Sequence, residues 1–416
     1  MRRKAIFDPI HGQITLSGAP LELISHPAFQ RLWGIRQTGF AHLVFPGANH
    51  TRLEHSLGVY WVAQAMAAAL GLSTTETELV TSGGLLHDLG HGPFSHTLEP
   101  TMREVLGYGH EKRGRQLILG EETRKSDEPP LPFSIPEMLE SYHVDPHAVA
   151  DLIDPPLRDG SRSLLRSMLH SAIDADRIDY LQRDAHYTGV AHGTIDAARI
   201  IETVRVDGDR LAFAEKGRSA LEGFLVGRAL MYSSVYYHKT VRSAEVMAQS
   251  AVERLPAFPD SARPLFGRTD GDLLAELRSS GDRAAEIAQA LRERRLFKRL
   301  LAWTDLPAQA TARWRRTARN PRERRATEDR LADRLRVARG SILLDLAGFA
   351  LETRPHDDWR AVTVLDEEGA HHPFRGANPW NSIIRRPPTI IRVGVYVDPR
   401  CREITPSRLR RAFRAE

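Results

Sequence analysis

A single cysteine, Cys401, in 416 residues excludes an intrachain disulfide framework and any zinc cage built from thiolates. Long apolar runs are missing as well: no stretch approaches the roughly 18 apolar residues of a membrane span. The N-terminal Met1-Arg2-Arg3-Lys4 is basic but leads into Asp8-Pro9 with no apolar stretch behind it, unlike a secretory leader. The expectation is a soluble, cytoplasmic protein with no membrane partner. No internal repeat is visible. What remains is ordinary globular composition, 41% hydrophobic and 27% charged, in a chain long enough for one large core plus appendages.

Charge is the first positive signal. A net +5 favours anionic partners such as phosphorylated metabolites or nucleic acid. Much of the excess is arginine near the C-terminus, in Arg313-Trp314-Arg315-Arg316, Arg322-Glu323-Arg324-Arg325 and Arg408-Leu409-Arg410-Arg411. These runs are either solvated helix faces or a nucleic-acid contact surface.

Apolar spacing predicts a mainly helical chain. Residues 52–70 read as a helix whose inner face runs Val59, Val62, Ala63, Met66 and Leu70, with His55 on the same face. A second helix over about 75–88 turns Leu79, Val80, Gly83 and Leu86 inward and stops at Gly90-His91-Gly92-Pro93. Ser25-His26-Pro27 looks like a helix start, with Pro27 first in the helix. Residues 121–136 predict a loop, 163–188 a helix ending at Gly189, and 218–254 one long helix. Between the last two, Val204 to Phe213 predicts a hairpin turning at Asp207-Gly208. Past Pro256, Pro259 and Pro264 the character changes. Residues 270–340 are helical and charged, and 342–346, 361–365 and 389–397 read as strands. The expected organisation is a helical domain over 1–254 and a smaller α+β region over 255–416, regulatory or oligomerising.

The chemistry concentrates in Leu85-Leu86-His87-Asp88-Leu89-Gly90-His91-Gly92-Pro93-Phe94-Ser95-His96. His87 and Asp88 are adjacent at a helix end, from which both can reach one ion. Imidazole nitrogen with carboxylate oxygen suits iron, manganese or zinc, with magnesium less favoured. The bland alternative is a helix cap with surface histidines. His55 alone reads equally as a satisfied core histidine. Helical spacing puts Asp176, Tyr180, Asp184 and Tyr187 on one stripe, apart from the apolar Ile178, Leu181 and Ala185. That stripe is either a solvated face or a pocket wall. Arg228, Tyr232, Tyr236 and Lys239 likewise fall on one face of the expected long helix.

Together these residues resemble the HD-domain family of metal-dependent phosphohydrolases, and within it the deoxynucleoside triphosphate triphosphohydrolases. Further matching segments are Asp8-Pro9-Ile10-His11-Gly12, Phe29-Gln30-Arg31-Leu32, Val44-Phe45-Pro46-Gly47-Ala48, the string from Arg52 to Val59, His110-Glu111 and Tyr236-Tyr237-His238-Lys239. The resemblance covers roughly residues 6–250 and implies a helical HD-domain catalytic core. It implies that His55, His87, Asp88 and Asp176 hold a divalent metal: manganese, iron, zinc or magnesium. It gives proton transfer or water positioning to His91 and His110, with Glu99 orienting one of them. Arg52 and His96 would contact phosphate oxygens, and Arg177, Tyr180 and Arg228 the outer phosphates. Gln37 and Asp184 match positions that bind the sugar 3′-hydroxyl. Tyr236 matches the residue that packs against the sugar 2′ carbon. The implied partner is a deoxynucleotide substrate, and the implied assembly a homo-oligomer.

Three departures stand out. Regulated members read an activating guanine nucleotide with an acid and an arginine where this chain has Ser25 and Trp33, and Phe7 replaces a polar residue. Guanine-nucleotide activation is therefore expected to be absent or altered. Tyr232 stands where a histidine is usual, which leaves base preference open. Two other functions compete: an HD phosphatase acting on a nucleoside monophosphate or another phosphate ester, and a nucleic-acid-binding regulatory protein.

Overall fold

The computed structural model describes residues 2–121, 133–155, 164–349, 362–374 and 391–414. Helices dominate, with three small sheets among the described residues. Strands β1 (Arg3–Asp8) and β2 (Gly12–Ser17) form an N-terminal antiparallel hairpin. Strands β3 (Val204–Asp207) and β4 (Arg210–Ala214) pair antiparallel, with Asp207 opposite Arg210, as the Asp-Gly turn predicts. Strand β5 (Lys298–Trp303) joins β6 (Ile342–Asp345) through a central β9 (Val393–Val397). The short β7 (Thr363–Leu365) and β8 (His371–Pro373) extend the β3–β4 sheet.

The helix Arg52–Leu70 is the structural axis. Thr51 and Glu54 close a capping box at its start, and Gly71 ends it with φ 66°. Val59, Val62, Ala63 and Met66 are all fully buried. Burying a valine or methionine side chain contributes about 1.5–3 kcal/mol. The helix Thr74–Leu86 packs beside it, capped by Ser73 and Glu76. The short helix Pro27–Gln30 starts as expected, with His26 as its cap.

Several elements differ from the sequence expectation. The helix expected over 163–188 is two, Leu164–Leu169 and Ala175–Thr188. Asp174 breaks it by capping the second helix, its carboxylate accepting from Arg177 N at 2.8 Å. The long helix over 218–254 is also two, Arg218–Met231 and Lys239–Glu253, joined by a π-turn at Tyr232–Tyr236. The axis restarts at Lys239, so its expected place on one face with Arg228, Tyr232 and Tyr236 does not follow. The span 270–340 is interrupted by β5, which the charged pattern hid. The third expected strand is shorter, because 389–390 lie outside the described residues and 391–392 are not strand. The helix Ile135–Glu140 trims the expected loop over 121–136, of which 122–132 lie outside the described residues.

Among the described residues, three buried clusters form the interior. The largest takes residues from both sides of position 254, from Phe40 and Val59 to Leu291 and Tyr396. A second joins the N-terminal hairpin to Leu85, Leu86 and Leu89. The third lies wholly in the C-terminal region, where β9 packs against Trp314, Leu331 and Leu409. Buried ion pairs tie that region to the rest. Arg324 binds both oxygens of Glu253 at 2.5 and 2.6 Å, and Arg242 pairs with Asp345 at 2.8 Å. Among the described residues, no helix is long and apolar enough to cross a membrane.

Candidate metal centre and adjoining pocket

Three helices deliver one cluster of nitrogen and oxygen atoms. His55 comes from Arg52–Leu70, His87 and Asp88 from the end of Thr74–Leu86, and Asp176 from the first turn of Ala175–Thr188. His55 Nε2 lies 3.0 Å from Asp176 Oδ1 and 3.7 Å from Asp88 Oδ2. His87 Nε2 lies 3.3 Å from Asp88 Oδ1 and 3.8 Å from Asp176 Oδ1. Atoms about 2.1 Å from a common ion sit about 3.0 Å apart at right angles and about 3.4 Å at tetrahedral angles. The spacing therefore fits a shared cation.

Proton placement supports the same fit. His87 Nδ1 lies 2.7 Å from Gly84 O, a carbonyl that can only accept, so the proton sits there and Nε2 offers its lone pair to the cluster. That Nε2 is buried and has no hydrogen-bond partner. His55 Nδ1 donates to Asp179 Oδ2 at 2.7 Å, which fixes the ring and turns Nε2 inward. Burial opposes charge on His55, yet Asp176, Asp179 and Asp88 push its pKa up to about 10. A place that calls so strongly for positive charge suits a divalent cation.

Asp179 is itself held. His11 Nε2 donates to it at 2.6 Å, and Arg183 reaches it through Nε and Nη2, both at 2.9 Å. Arg183 also binds Asp8 at 2.7 Å. Gly58 makes room for this network: a Cβ there would stand 1.9 Å from Asp179 Oδ1 and 2.5 Å from Arg183 Nη2. Sequence reasoning passed over Asp179, His11, Asp8 and Arg183 as supports. Each lay inside or beside a matched segment, but nothing in the spacing marked them as facing His55.

A second cluster adjoins the first. His91 stacks on His110 with centroids 3.8 Å apart, and the exposed His96 meets both edge-on at 4.8 and 5.5 Å. His91 Nε2 approaches Asp88 Oδ1 to 3.3 Å without the alignment of a hydrogen bond, and neither of its ring nitrogens has a hydrogen-bond partner. Burial, with Arg52 and His110 nearby, holds His91 well below the usual histidine range. Burial opposes charge on His110 too, but Glu99 and Glu111 raise its pKa. Glu99 lies 3.1 Å from His110 Nδ1 and accepts from its backbone at 3.2 Å. Although burial works against it, Glu99 is lowered to about 2, chiefly by His110. The loop that carries His91 and His96 is strained. Phe94 and Ser95 both have positive φ, 55° and 54°, at a cost of about 1–3 kcal/mol each.

The remaining expected residues gather beyond Asp176. Arg52 donates to Asp88 Oδ2 at 2.5 Å and to Ser95 Oγ at 2.8 Å. Arg177 pairs with Asp174. Arg228 Nε donates to Tyr180 OH at 3.3 Å, and its guanidinium lies 5.0 Å from the Tyr232 ring centre. Asp184 is buried, with His50 Nε2 donating to Oδ1 at 2.7 Å and Tyr236 OH donating to Oδ2 at 2.5 Å. Tyr236 packs edge-on against Tyr180 and Tyr232. Gln37 donates through its backbone to His50 O at 3.0 Å, and its Oε1 is buried without a partner. The stripe on Ala175–Thr188 is thus not a solvated face: Asp184 is buried and Asp176, Tyr180 and Tyr187 are partly buried, and His50 is a neighbour that sequence reasoning missed. Elsewhere, a hollow of about 290 Å³ opens between the N-terminal hairpin and the Phe29–Trp33 segment, beside the exposed Phe7 and Trp33.

Comparison with known proteins identifies two matching segments. Residues 52–184 match the model described as HD domain, and residues 195–413 the one described as HD associated region. An uncharacterized protein of Methanocaldococcus jannaschii is 34% identical over 316 residues, 75% of this chain and 62% of its own length. Human deoxynucleoside triphosphate triphosphohydrolase SAMHD1 is 29% identical over 349 residues, 71% of this chain and 54% of its own. The chain thus spans about three fifths or less of these curated relatives. The crystal structure of a hypothetical protein from Aquifex aeolicus is similar throughout, with a TM-score of 0.74 at 30% identity, covering 98% of this chain and 100% of that one.

Proposed function

Because the chain belongs to the HD-domain family of phosphohydrolases, we propose that it hydrolyses deoxynucleoside triphosphates to deoxynucleoside and triphosphate. The observation that carries this reading is Asp184, whose carboxylate is gripped by His50 and covered by the Tyr236 hydroxyl, on the same helix as Asp176. A buried carboxylate at that place can accept from a sugar 3′-hydroxyl. In this reading the Tyr236 ring beside it packs against the sugar 2′ carbon and excludes a 2′-hydroxyl. The human relative that carries the name deoxynucleoside triphosphate triphosphohydrolase supports the same substrate class.

In this reading His55, His87, Asp88 and Asp176 hold the metal. When bound, the metal polarises a phosphoryl oxygen and lowers the pKa of water. Water oxygen bonds to the α-phosphorus, the bond from phosphorus to O5′ breaks, and O5′ leaves with a proton as the deoxynucleoside. His91 and His110 place the water and move its proton, with Glu99 fixing His110. Arg52 and His96 meet oxygens at the reacting phosphate. Arg177, Tyr180 and Arg228 grip the outer phosphates, where a guanidinium fork binds in two places. Gln37 joins Asp184 at the sugar, and Tyr232 borders the base.

Nucleic acid remains a second anionic partner in this reading. Arg316, Arg319, Arg410 and Arg411 are exposed and have no carboxylate partner among the described residues. Binding that weakens steeply with salt would mark such contact. Self-association is part of the same proposal.

The test is to incubate the protein with each of the four dNTPs and manganese and to separate the products. Deoxynucleoside plus intact triphosphate is expected. Orthophosphate, or cleavage of a nucleoside monophosphate alone, would transfer the reading to a general HD phosphatase. Tyr236→Ala is expected to narrow the preference for dATP over ATP, and an unchanged ratio would remove the sugar-gate role.

A further inference from the structure

The strained loop that carries His91 and His96 is fastened from outside the HD-domain segment. Arg113 Nη1 donates to Gly90 O at 3.3 Å and to Phe266 O at 2.7 Å. Arg31 Nη2 donates to Leu89 O at 2.9 Å and His91 O at 2.8 Å, while its Nη1 reaches Arg268 O at 3.4 Å. Both arginines therefore bridge the loop to the segment 266–268. The direct contact follows at Asp270, the first residue of the helix Asp270–Ser279. Its Oδ1 accepts from Phe94 N at 2.6 Å and its Oδ2 from Arg36 N at 3.0 Å.

This carboxylate is only 2% exposed. Phe94 stands in the left-handed region, where side-chain-bearing residues persist only when their surroundings impose it. Ser95 Oγ, one residue on, donates to Arg36 O at 2.7 Å and accepts from Arg52 Nε at 2.8 Å. Arg52 in turn reaches Asp88 at 2.5 Å. Asp270, Phe94, Ser95 and Arg36 thus close a ring of contacts, and Arg52 connects that ring to the candidate metal cluster. We propose that Asp270 is a positioning residue that locks the Phe94–Ser95 turn and so sets His91 and Arg52 against Asp88 and His96 against His91. The histidine loop of the HD domain is then completed by a side chain from the associated region.

The kinetic part of the test rests on the phosphohydrolase reading; the exchange part does not. Asp270→Ala, Asp270→Asn and Asp272→Ala are compared with the wild type. Asp272 is a control: it caps the same helix, accepting from Thr269 Oγ1 at 2.7 Å, but is exposed and does not touch the loop. The measurements are amide hydrogen exchange, metal content, and kcat and KM on a dNTP and on bis(p-nitrophenyl) phosphate. Small misplacement of reacting groups costs about 100-fold. Asp270→Ala is expected to speed exchange across residues 89–97 and to lower kcat about 10–100-fold, with KM and metal content little changed. Asp270→Asn keeps one acceptor and is expected to recover part of both losses, and Asp272→Ala is expected to match the wild type. The proposal is overturned if Asp270→Ala keeps near-normal kcat, or if Asp272→Ala loses as much. Should Asp270→Ala not fold, Asp270→Asn decides on the same readouts. Unchanged exchange at 89–97 overturns the proposal whatever the substrate, while failure on dNTPs alone tells only against the substrate assignment.

Discussion

His55 and His87 each have the outward ring nitrogen tied to an acceptor, Asp179 Oδ2 in one case and Gly84 O in the other, both at 2.7 Å. The neighbouring His91 has neither nitrogen hydrogen-bonded, and His110 is backed by Glu99 across 3.1 Å. The first pair faces two carboxylates, Asp88 and Asp176, that can balance a dication. The second pair is stacked ring on ring, where burial and mutual repulsion favour one neutral and one charged imidazole. Two groups of histidines a few ångströms apart thus differ in what stands behind them, and the proposed division of tasks, ligation in one case and proton handling in the other, rests on that difference.

The largest effect expected of that contrast is at Asp176. In Asp176→Ala, turnover should fall at least about 1000-fold, measured as product release at saturating metal. His91→Ala should lose about 10²–10⁴-fold in turnover yet keep its metal, because only a proton path is removed. A loss of the ion with His91 would merge the two clusters into one. Asp179→Asn should weaken metal affinity about 10–100-fold, as read by competition with a chelator, since His55 loses its anionic support. An affinity equal to wild type would reduce Asp179 to a packing role.

The smallest effect is a pH effect on stability. Glu99 is lowered from 4.5 to about 2, so its contribution is present above about pH 4.5 and is lost as pH falls toward 2. His110 is raised above 6.5, so its contribution is full below pH 6.5 and is lost as pH rises through the folded value. The pair should therefore stabilise most between about pH 4.5 and 6.5. Glu99→Gln should lower the melting temperature most inside that window and flatten its decline on either side, and an unaltered profile would show that the pair carries no linkage. Added GTP should leave activity flat, because Ser25 and Trp33 stand where the resemblance calls for an acid and an arginine to read a guanine nucleotide. A clear rise would contradict that.

Much of the helical half was legible because its signals are local. The helix Arg52–Leu70 has a capping box at one end and a glycine at the other, and its expected bounds coincide with the structure. The helix breaks at Asp174 and at Tyr232–Tyr236 were not legible. An aspartate can cap or face solvent, and a π-turn keeps helical composition while adding a residue to the turn. Strand β9 alternated only in part because it is buried on both faces: Val393, Val395 and Val397 pack in the C-terminal cluster, while Tyr396 packs in the main one. Within the site, the residues of the His87 to His96 run could be named from sequence. Asp270 could not, because its meeting with Phe94 spans 176 positions and leaves no periodic trace.

The most direct test of the metal assignment is the divalent ion content of purified wild type, His87→Ala and His91→Ala, measured by elemental analysis after gel filtration. One ion per chain is expected in the wild type and in His91→Ala, with almost none in His87→Ala at unchanged helical content. Retention of the ion in His87→Ala, or its loss in His91→Ala, would contradict the placement of the metal on His55, His87, Asp88 and Asp176.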